Sequence, residues 1–118
     1  MTKPVPFFDN DRLKNMEQET FDKIRKALVL SEGGVSEGKM MSSPAIQYEG
    51  HVFAFFFRTK KMVFKMGKEF VPNIDEMTPF NPFKNKSPLT GWFEIPFEHK
   101  DLWFAYTKNA LKMIKNAG

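Results

Sequence analysis

The chain has 118 residues, of which 42% are hydrophobic and 27% charged, and this balance excludes a mainly disordered chain. The length predicts a single domain, 1–118, with one core. Cysteine is absent, which excludes disulfides, thiolate zinc sites and a thiol nucleophile. No segment has the length and apolarity of a signal peptide or a bilayer span, so we predict a cytoplasmic protein without membrane contact.

The net charge of +4 is concentrated in the middle of the chain. Residues 33–70 carry most of the excess of positive over negative side chains. This excess defines a candidate basic patch, formed by Arg58, Lys60, Lys61, Lys65 and Lys68. Such a patch can attract phosphate backbones, but lysines at a turn also protect a sheet edge from pairing. The second interpretation is favoured, because nucleic-acid-binding proteins make more phosphate contacts than this patch offers.

The first predicted element is an amphipathic helix over about residues 11–30. Its apolar residues recur at spacings of three and four, with charged residues between them. Asp9 or Asn10 can cap its start, and Gly33 and Gly34 can end it. The following residues, up to Gly38, lack the Gly-Lys-Ser/Thr ending of a phosphate-binding loop, so we interpret residues 31–38 as a cap and linker.

Residues 39–67 predict three antiparallel strands, at 45–48, 52–57 and 62–66. Gly50 supplies the positive φ that a hairpin between the first two strands requires. The middle strand is apolar on every residue, which predicts that both of its faces are covered. Strict alternation along it would place Phe53, Phe55 and Phe57 on one face and Val52, Ala54 and Phe56 on the other.

The rest of the chain predicts a short helix or turn at 68–77, an extended edge piece at 78–83, a fifth strand at 91–95 and a helix at 98–116. Trp92 is predicted to pack beneath the last helix. The buried stripe of that helix is predicted to be Leu102, Tyr106, Ala110, Met113 and Ile114. Its lysines suit the negative end of the helix dipole. The predicted fold is therefore α+β, a two-layer arrangement of a five-stranded antiparallel sheet packed by helices, in the order α-β-β-β-α-β-β-α.

Residues 39–116, about two thirds of the chain, resemble the N-terminal domain of the TfoX (Sxy) family of competence regulators. The resemblance rests on four runs: Lys39-Met40-Met41, Tyr48-Glu-Gly50 with Val52-Phe-Ala-Phe55, Met62-Val-Phe-Lys-Met-Gly67, and Ser87-Pro-Leu-Thr-Gly-Trp92. Where the family usually has Met-Phe-Gly-Gly, this chain has Met41-Ser42-Ser43-Pro44. The resemblance implies a regulatory module with this α+β fold.

No motif in the sequence indicates a reaction centre. His51 and His99 are the only histidines, and neither has the spacing to carboxylates that a metal site needs. The serines do not lie in a nucleophile-elbow pattern, and Glu98 and Asp101 are typical first-turn acids of a helix. We therefore predict that the protein is not an enzyme and uses no cofactor and no metal.

Two functions from different classes fit the sequence. The first is a protein-interaction or regulatory module that binds a partner or forms a homodimer through the sheet. Its candidate interface is the apolar patch expected from Val52, Ala54, Phe56 and Val63, unless a loop over residues 78–88 covers that face. The alternative is a nucleic-acid-associated regulator, because residues 51–57 partly resemble the aromatic strand of RNA-recognition domains and basic residues follow them.

Overall fold

The fold is α+β, as the sequence predicted. The computed structural model describes residues 5–82 and 86–117, and for residues 5–15 only the backbone is described. Its elements are α1 (Val5–Ser31), β1 (Val35–Met40), β2 (Ser43–Tyr48), β3 (His51–Phe56), β4 (Lys61–Lys65), β5 (Thr78–Pro79), β6 (Trp92–Pro96), a 3₁₀ helix (Phe97–Leu102) and α2 (Trp103–Ala117).

The strands form one antiparallel sheet in the order β1-β2-β3-β4-β6-β5. Strands β1 to β4 follow one another as a meander, and β6 then pairs with β4. The two-residue strand β5 lies at the outer edge beside β6. Proline is tolerated at an edge because the N–H that Pro79 lacks interrupts no hydrogen-bond ladder there. The described sheet therefore has six strands rather than the predicted five.

The additional strand is β1, which the sequence analysis had assigned mainly to a linker. Ser36, Glu37 and Gly38 have low strand propensity, so the local sequence does not indicate a strand here. Pairing with β2 forms the strand instead, through six residue pairs from Val35–Tyr48 to Met40–Ser43. Only Val35 of β1 is buried, so the ladder and the tight turn, rather than burial, hold this strand.

Three predicted segments differ in part from the structure. Residues 68–77 form turns and bends, which agrees with the turn alternative and not with the helix in the predicted element order, and Phe70 and Met77 from this segment pack into the core. The C-terminal helical region begins as a 3₁₀ helix, is kinked at His99 (φ −116°, ψ 37°) and continues as α2 from Trp103. Helix α1 begins at Val5, before the predicted cap residues, and includes Pro6 in its first turn, where proline is tolerated.

Helices α1 and α2 cover one face of the sheet, called here the helix face. The largest buried side chain on this face is Trp103, which is 0% exposed. Its indole Nε1 donates a hydrogen bond to the carbonyl oxygen of Ile95 at 3.0 Å. Phe56 lies between the helices, with its ring centroid 5.7 Å from Phe21 on α1 and 6.2 Å from Trp103 on α2. These rings join both helices to the central strand.

A β-bulge in the pairing of β2 with β3 changes which residues share a face. Ile46 pairs with Ala54, but the next residue, Gln47, pairs with Val52, so Phe53 is an extra residue in β3. Phe53 and Ala54 consequently both belong to the helix-face core. The predicted strict alternation along this strand was wrong for Phe53 and for Val52, which packs on the opposite face from Ala54 and Phe56.

The opposite face of the sheet carries a second, smaller core, called here the loop face. Phe55, Phe57 and Phe80 are buried there, and the Phe80 ring centroid lies 4.9 Å from that of Phe57 and 5.5 Å from that of Phe55. Trp92 also packs against this core, 5.5 Å from Phe55. The prediction that Trp92 packs beneath the last helix was wrong. Successive residues of β6 point to opposite faces of the sheet, and Phe93 and Ile95 face the helices, so Trp92 faces away from them.

The turn glycines allow a first prediction from a matched pair. Gly50 has φ +88°, which confirms the predicted conformation, and a Cβ there would have open space. Gly91 has φ +86°, but its Cβ would lie 3.1 Å from the backbone carbon of Gly67. We expect Gly50→Ala to lower the free energy of unfolding by about 1–2 kcal/mol from backbone strain alone, and Gly91→Ala to lower it clearly more. Equal losses in chemical denaturation would contradict the tight contact at Gly91.

Candidate interaction surfaces

The four residues predicted as an interface do not form one exposed surface. Ala54 and Phe56 are buried in the helix-face core, whereas Val63 is buried in the loop-face core. Val52 is half-buried at the margin of the loop face. The interface prediction is corrected by these positions, since three of the four side chains are already covered within one chain.

A loop covers the part of the sheet where that patch was expected. Phe80 reaches the loop face directly after β5, and its backbone N–H donates to the Trp92 carbonyl oxygen at 2.9 Å. Leu89 packs on the same core, and its N–H donates to the Phe80 carbonyl oxygen at 2.9 Å. Phe80 lies within residues 78–88 and Leu89 directly follows them. Their positions agree with the alternative that a loop over residues 78–88 covers this face.

The residues of the candidate basic patch divide between the two ends of β4. Near its start lie Arg58, Lys60 and Lys61, and at or beyond its end lie Lys65 and Lys68. At a strand rise of about 3.3 Å per residue, the first and last residues of β4 are about 13 Å apart. The structure therefore separates these side chains into two small groups.

Arg58 and Lys61 have partners inside the chain. The Arg58 guanidinium carbon lies 4.4 Å above the Phe57 ring centroid, an arrangement that lets its stem cover the loop-face core. Lys61 Nζ is 3.4 Å from Glu94 Oε2 on β6. The charge of this group is thereby reduced, which weakens it as a phosphate-binding surface. Phe55 and Phe57, the aromatic residues of the RNA-recognition comparison, are buried.

The histidines lie apart in the structure as in the sequence. His51 is exposed at the start of β3, and His99 Nε2 is 3.6 Å from Glu98 Oε2 in the 3₁₀ helix. Among the residues that the structure describes, no three His, Asp or Glu side chains lie close enough to hold a metal ion.

A surface that the sequence analysis did not single out lies on α2. It is called here the α2 lysine face and consists of Phe104, Lys108, Lys112 and Lys115. Their spacing of four, four and three residues places them along one side of the helix. Helix α2 contains no acidic residue, and the Phe104 ring is 43% exposed. The helix thus presents positive charge beside an aromatic ring.

The lysines of this face differ in their surroundings. Lys115 Nζ lies 3.3 Å from Glu32 Oε1 and 5.6 Å from the Tyr48 ring centroid, so it is held at the end of α1. Lys108 Nζ lies 5.6 Å from the Phe104 ring centroid. Within the described part of the chain, neither Lys108 nor Lys112 forms an ion pair with an acidic side chain. Their charges are available to a binding partner.

An open cleft runs beside the α2 lysine face, with a volume of about 320 Å³. Its walls include Glu32, Asn109 and Leu111 together with the lysines of this face. Leu111 is buried at the base, while the lysines lie at the rim. The cleft therefore combines a small apolar surface with three lysines, of which Lys115 is paired with Glu32.

The sequence carries a signal for this face, although the lysines that form it also have a simpler explanation. Lysines near the end of a helix suit its dipole, and Phe104 lay outside the predicted buried stripe. That stripe was partly wrong, because Met113 is 42% exposed and Trp103 is the central buried residue of α2. The repeat of exposed residues at Lys100, Phe104, Lys108 and Lys112, each four apart, could have indicated the surface.

Comparison of the chain with protein-family models, with curated proteins and with solved structures found no match. The resemblance to the TfoX (Sxy) N-terminal domain stays a prediction from the sequence. Among the described residues, no helix combines the length and apolarity needed to cross a membrane.

Proposed function

We propose that this protein is a non-enzymatic binding module that recognises an acidic segment of a partner protein through the α2 lysine face. The observation that carries the proposal is the exposed Phe104 ring beside Lys108, with Lys112 one turn further along α2; neither lysine has an acidic partner in the described chain. Carboxylates of a partner would neutralise the lysines, and an apolar residue would cover the ring. A regulatory role of this kind fits the resemblance to TfoX (Sxy) regulators, and the cytoplasmic location stays a prediction.

The composition of the face favours a protein over a nucleic acid. Aromatic side chains at the centre of an interface commonly supply much of the binding energy. Arginine, which binds phosphates and guanine through paired hydrogen bonds, is absent from α2. A few lysines around one aromatic ring suit a short acidic segment that also carries apolar residues.

The test compares two charge-reversal variants that change the net charge equally. Lys108→Glu/Lys112→Glu alters the α2 lysine face. Lys65→Glu/Lys68→Glu alters two exposed lysines of the candidate basic patch, which lie outside that face. The probe is a fluorescent synthetic peptide of glutamate and leucine, titrated by anisotropy at several salt concentrations. We expect wild type and the control variant to bind, and the α2 variant to lose about tenfold in affinity, equivalent to about 1.4 kcal/mol.

One further variant and a second probe complete the design. Phe104→Ala should also weaken peptide binding without unfolding the protein, because the ring is exposed. A duplex DNA of mixed sequence is titrated in parallel. Binding of the DNA with a steep salt dependence, but not of the peptide, would overturn the proposal in favour of the nucleic-acid alternative. Equal losses in the two charge-reversal variants would show that net charge, rather than this face, governs binding.

A further inference from the structure

The first strand of the sheet leaves one side open to another chain. Strand β1 lies at the end of the sheet and pairs with β2 on one side only. In the described part of the chain, no strand lies along its other side. An open edge of this kind is a template for a further antiparallel strand.

The hydrogen-bond pattern identifies which residues of β1 face the open side. The Glu49 N–H donates to the Gly34 carbonyl oxygen at 2.9 Å, in the same register as the β1–β2 ladder. Bonded and non-bonded pairs alternate along an antiparallel ladder, so Ser36, Gly38 and Met40 bond to β2. The N–H and C=O groups of Glu37 and Lys39 consequently point to the open edge.

We propose that two copies of this chain associate by antiparallel pairing of their β1 strands, with Gly38 on the two-fold axis. In this register Glu37 lies opposite Lys39 of the partner subunit, and Lys39 lies opposite Glu37 of the partner subunit. Both are the residues whose backbone groups point outward, so each of these pairs can exchange two backbone hydrogen bonds. The two sheets become one continuous sheet, and the contact is isologous.

Charge complementarity selects a second copy as the occupant of this edge. Glutamate and lysine on an edge strand usually discourage pairing with other chains. Here their signs are arranged so that a two-fold operation places opposite charges across the new ladder, where such pairs are stabilising. Glu37 and Lys39 are both exposed. They also share the helix face, on which Arg25 Nε lies 3.9 Å from Glu37 Oε2.

The glycine at the axis fits the close approach that this pairing requires. Gly38 would face Gly38 of the partner subunit in a non-hydrogen-bonded pair, where opposing residues approach most closely. Within the chain, the Gln47 side chain already occupies the space above Gly38, with its Oε1 2.6 Å from where a Cβ would lie. Substitution of Gly38 would disturb Gln47 as well, so the test uses the charged residues on either side of it.

The register can be tested with charge reversals and sedimentation analysis over a wide concentration range. We expect the wild type to dimerise and both Glu37→Lys and Lys39→Glu to be monomeric, since each places like charges across the axis. An equimolar mixture of the two variants should form a heterodimer, because one chain then has lysine at positions 37 and 39 and the other has glutamate at both, so every facing pair has opposite charges. The double variant Glu37→Lys/Lys39→Glu should dimerise again.

A backbone variant tests the edge independently of charge. Lys39→Pro removes an N–H that points away from β2, so the β1–β2 ladder is kept while edge pairing is blocked. We expect a monomer with the circular dichroism spectrum of the wild type. A wild type that stays monomeric at every concentration, a folded Lys39→Pro variant that still dimerises, or single-charge variants that fail to associate when mixed would each overturn the proposal.

Discussion

Replacement of Trp103 by alanine is expected to lower the free energy of unfolding by about 3–5 kcal/mol. The indole is fully buried between α2 and the sheet, and it contacts the rings of Phe56 and Phe97 at centroid distances of 6.2 and 5.7 Å. The substitution leaves a cavity and also removes the donor to the Ile95 carbonyl oxygen. Chemical denaturation followed by circular dichroism measures the loss.

The adjacent residue supplies the control for this prediction. Phe104→Ala removes another aromatic ring from the same helix, but this residue is 43% exposed and does not belong to the buried core, so we expect a change within about 0.5 kcal/mol. Trp103→Phe keeps most of the volume and lacks the hydrogen-bond donor, and its loss should lie between the other two. Similar losses for Trp103→Ala and Phe104→Ala would show that the helix is not anchored by the buried indole.

Replacement of Phe80 by alanine is expected to destabilise the protein by a similar amount, about 3–5 kcal/mol. Phe80 is 1% exposed and its ring lies edge-on to those of Phe55 and Phe57. Truncation also uncovers the loop face, so the folded variant should bind an apolar fluorescent dye more strongly than the wild type. Both effects follow from one side chain that joins the loop to the sheet.

The control for Phe80 is Thr78, which lies two residues earlier in β5 and is exposed. Thr78→Ala should leave stability within about 0.5 kcal/mol and dye binding at the wild-type level. Increased dye binding by Thr78→Ala equal to that of Phe80→Ala would mean that any change in β5, rather than the loss of the Phe80 ring, opens this face.

The parts of the fold that the sequence predicted correctly are those with strong local patterns. The strand around Phe55 is apolar throughout, and in the next strand Met62, Phe64 and Met66 alternate with polar or smaller residues. Gly50 has the positive φ that its hairpin position requires. These features depend on a few neighbouring residues. They could be recognised without knowledge of what packs against them.

Strand β1 could not be predicted in the same way, because its stability comes from pairing. Its tight turn places Met41 and Ser42 at φ 52° and 65°, a conformation usually indicated in a sequence by glycine or asparagine. Without those residues the turn gave no local indication, and the low strand propensity of Ser36 and Gly38 concealed the strand. Only the ladder to β2 identifies it.

The assignment of side chains to faces failed in two places, for two different reasons. The bulge at Phe53 places two consecutive side chains on the helix face, whereas the sequence analysis assumed a period of two throughout. Val52 and Phe53 were therefore assigned to the wrong faces. Separately, Ala54 and Phe56 were grouped with Val63, although the β3–β4 register places Val63 opposite Phe55, on the other side of the sheet. The candidate interface depended on that grouping, which required a pairing register of β3 and β4 that the local sequence does not determine.

The arrangement of the two cores has a consequence for how this sequence can diverge. Strands β3 and β4 lie between the cores, so a substitution there is constrained by packing on two sides, as at Phe55 and Phe64. Strand β1 contributes a single buried side chain, Val35, and the contacts of Ser36 with Gln47 and of Glu37 with Arg25 lie at or near the surface. Descendants of this sequence can therefore alter β1 while retaining the fold, and the edge strand is the part of the sheet from which new binding specificities can evolve.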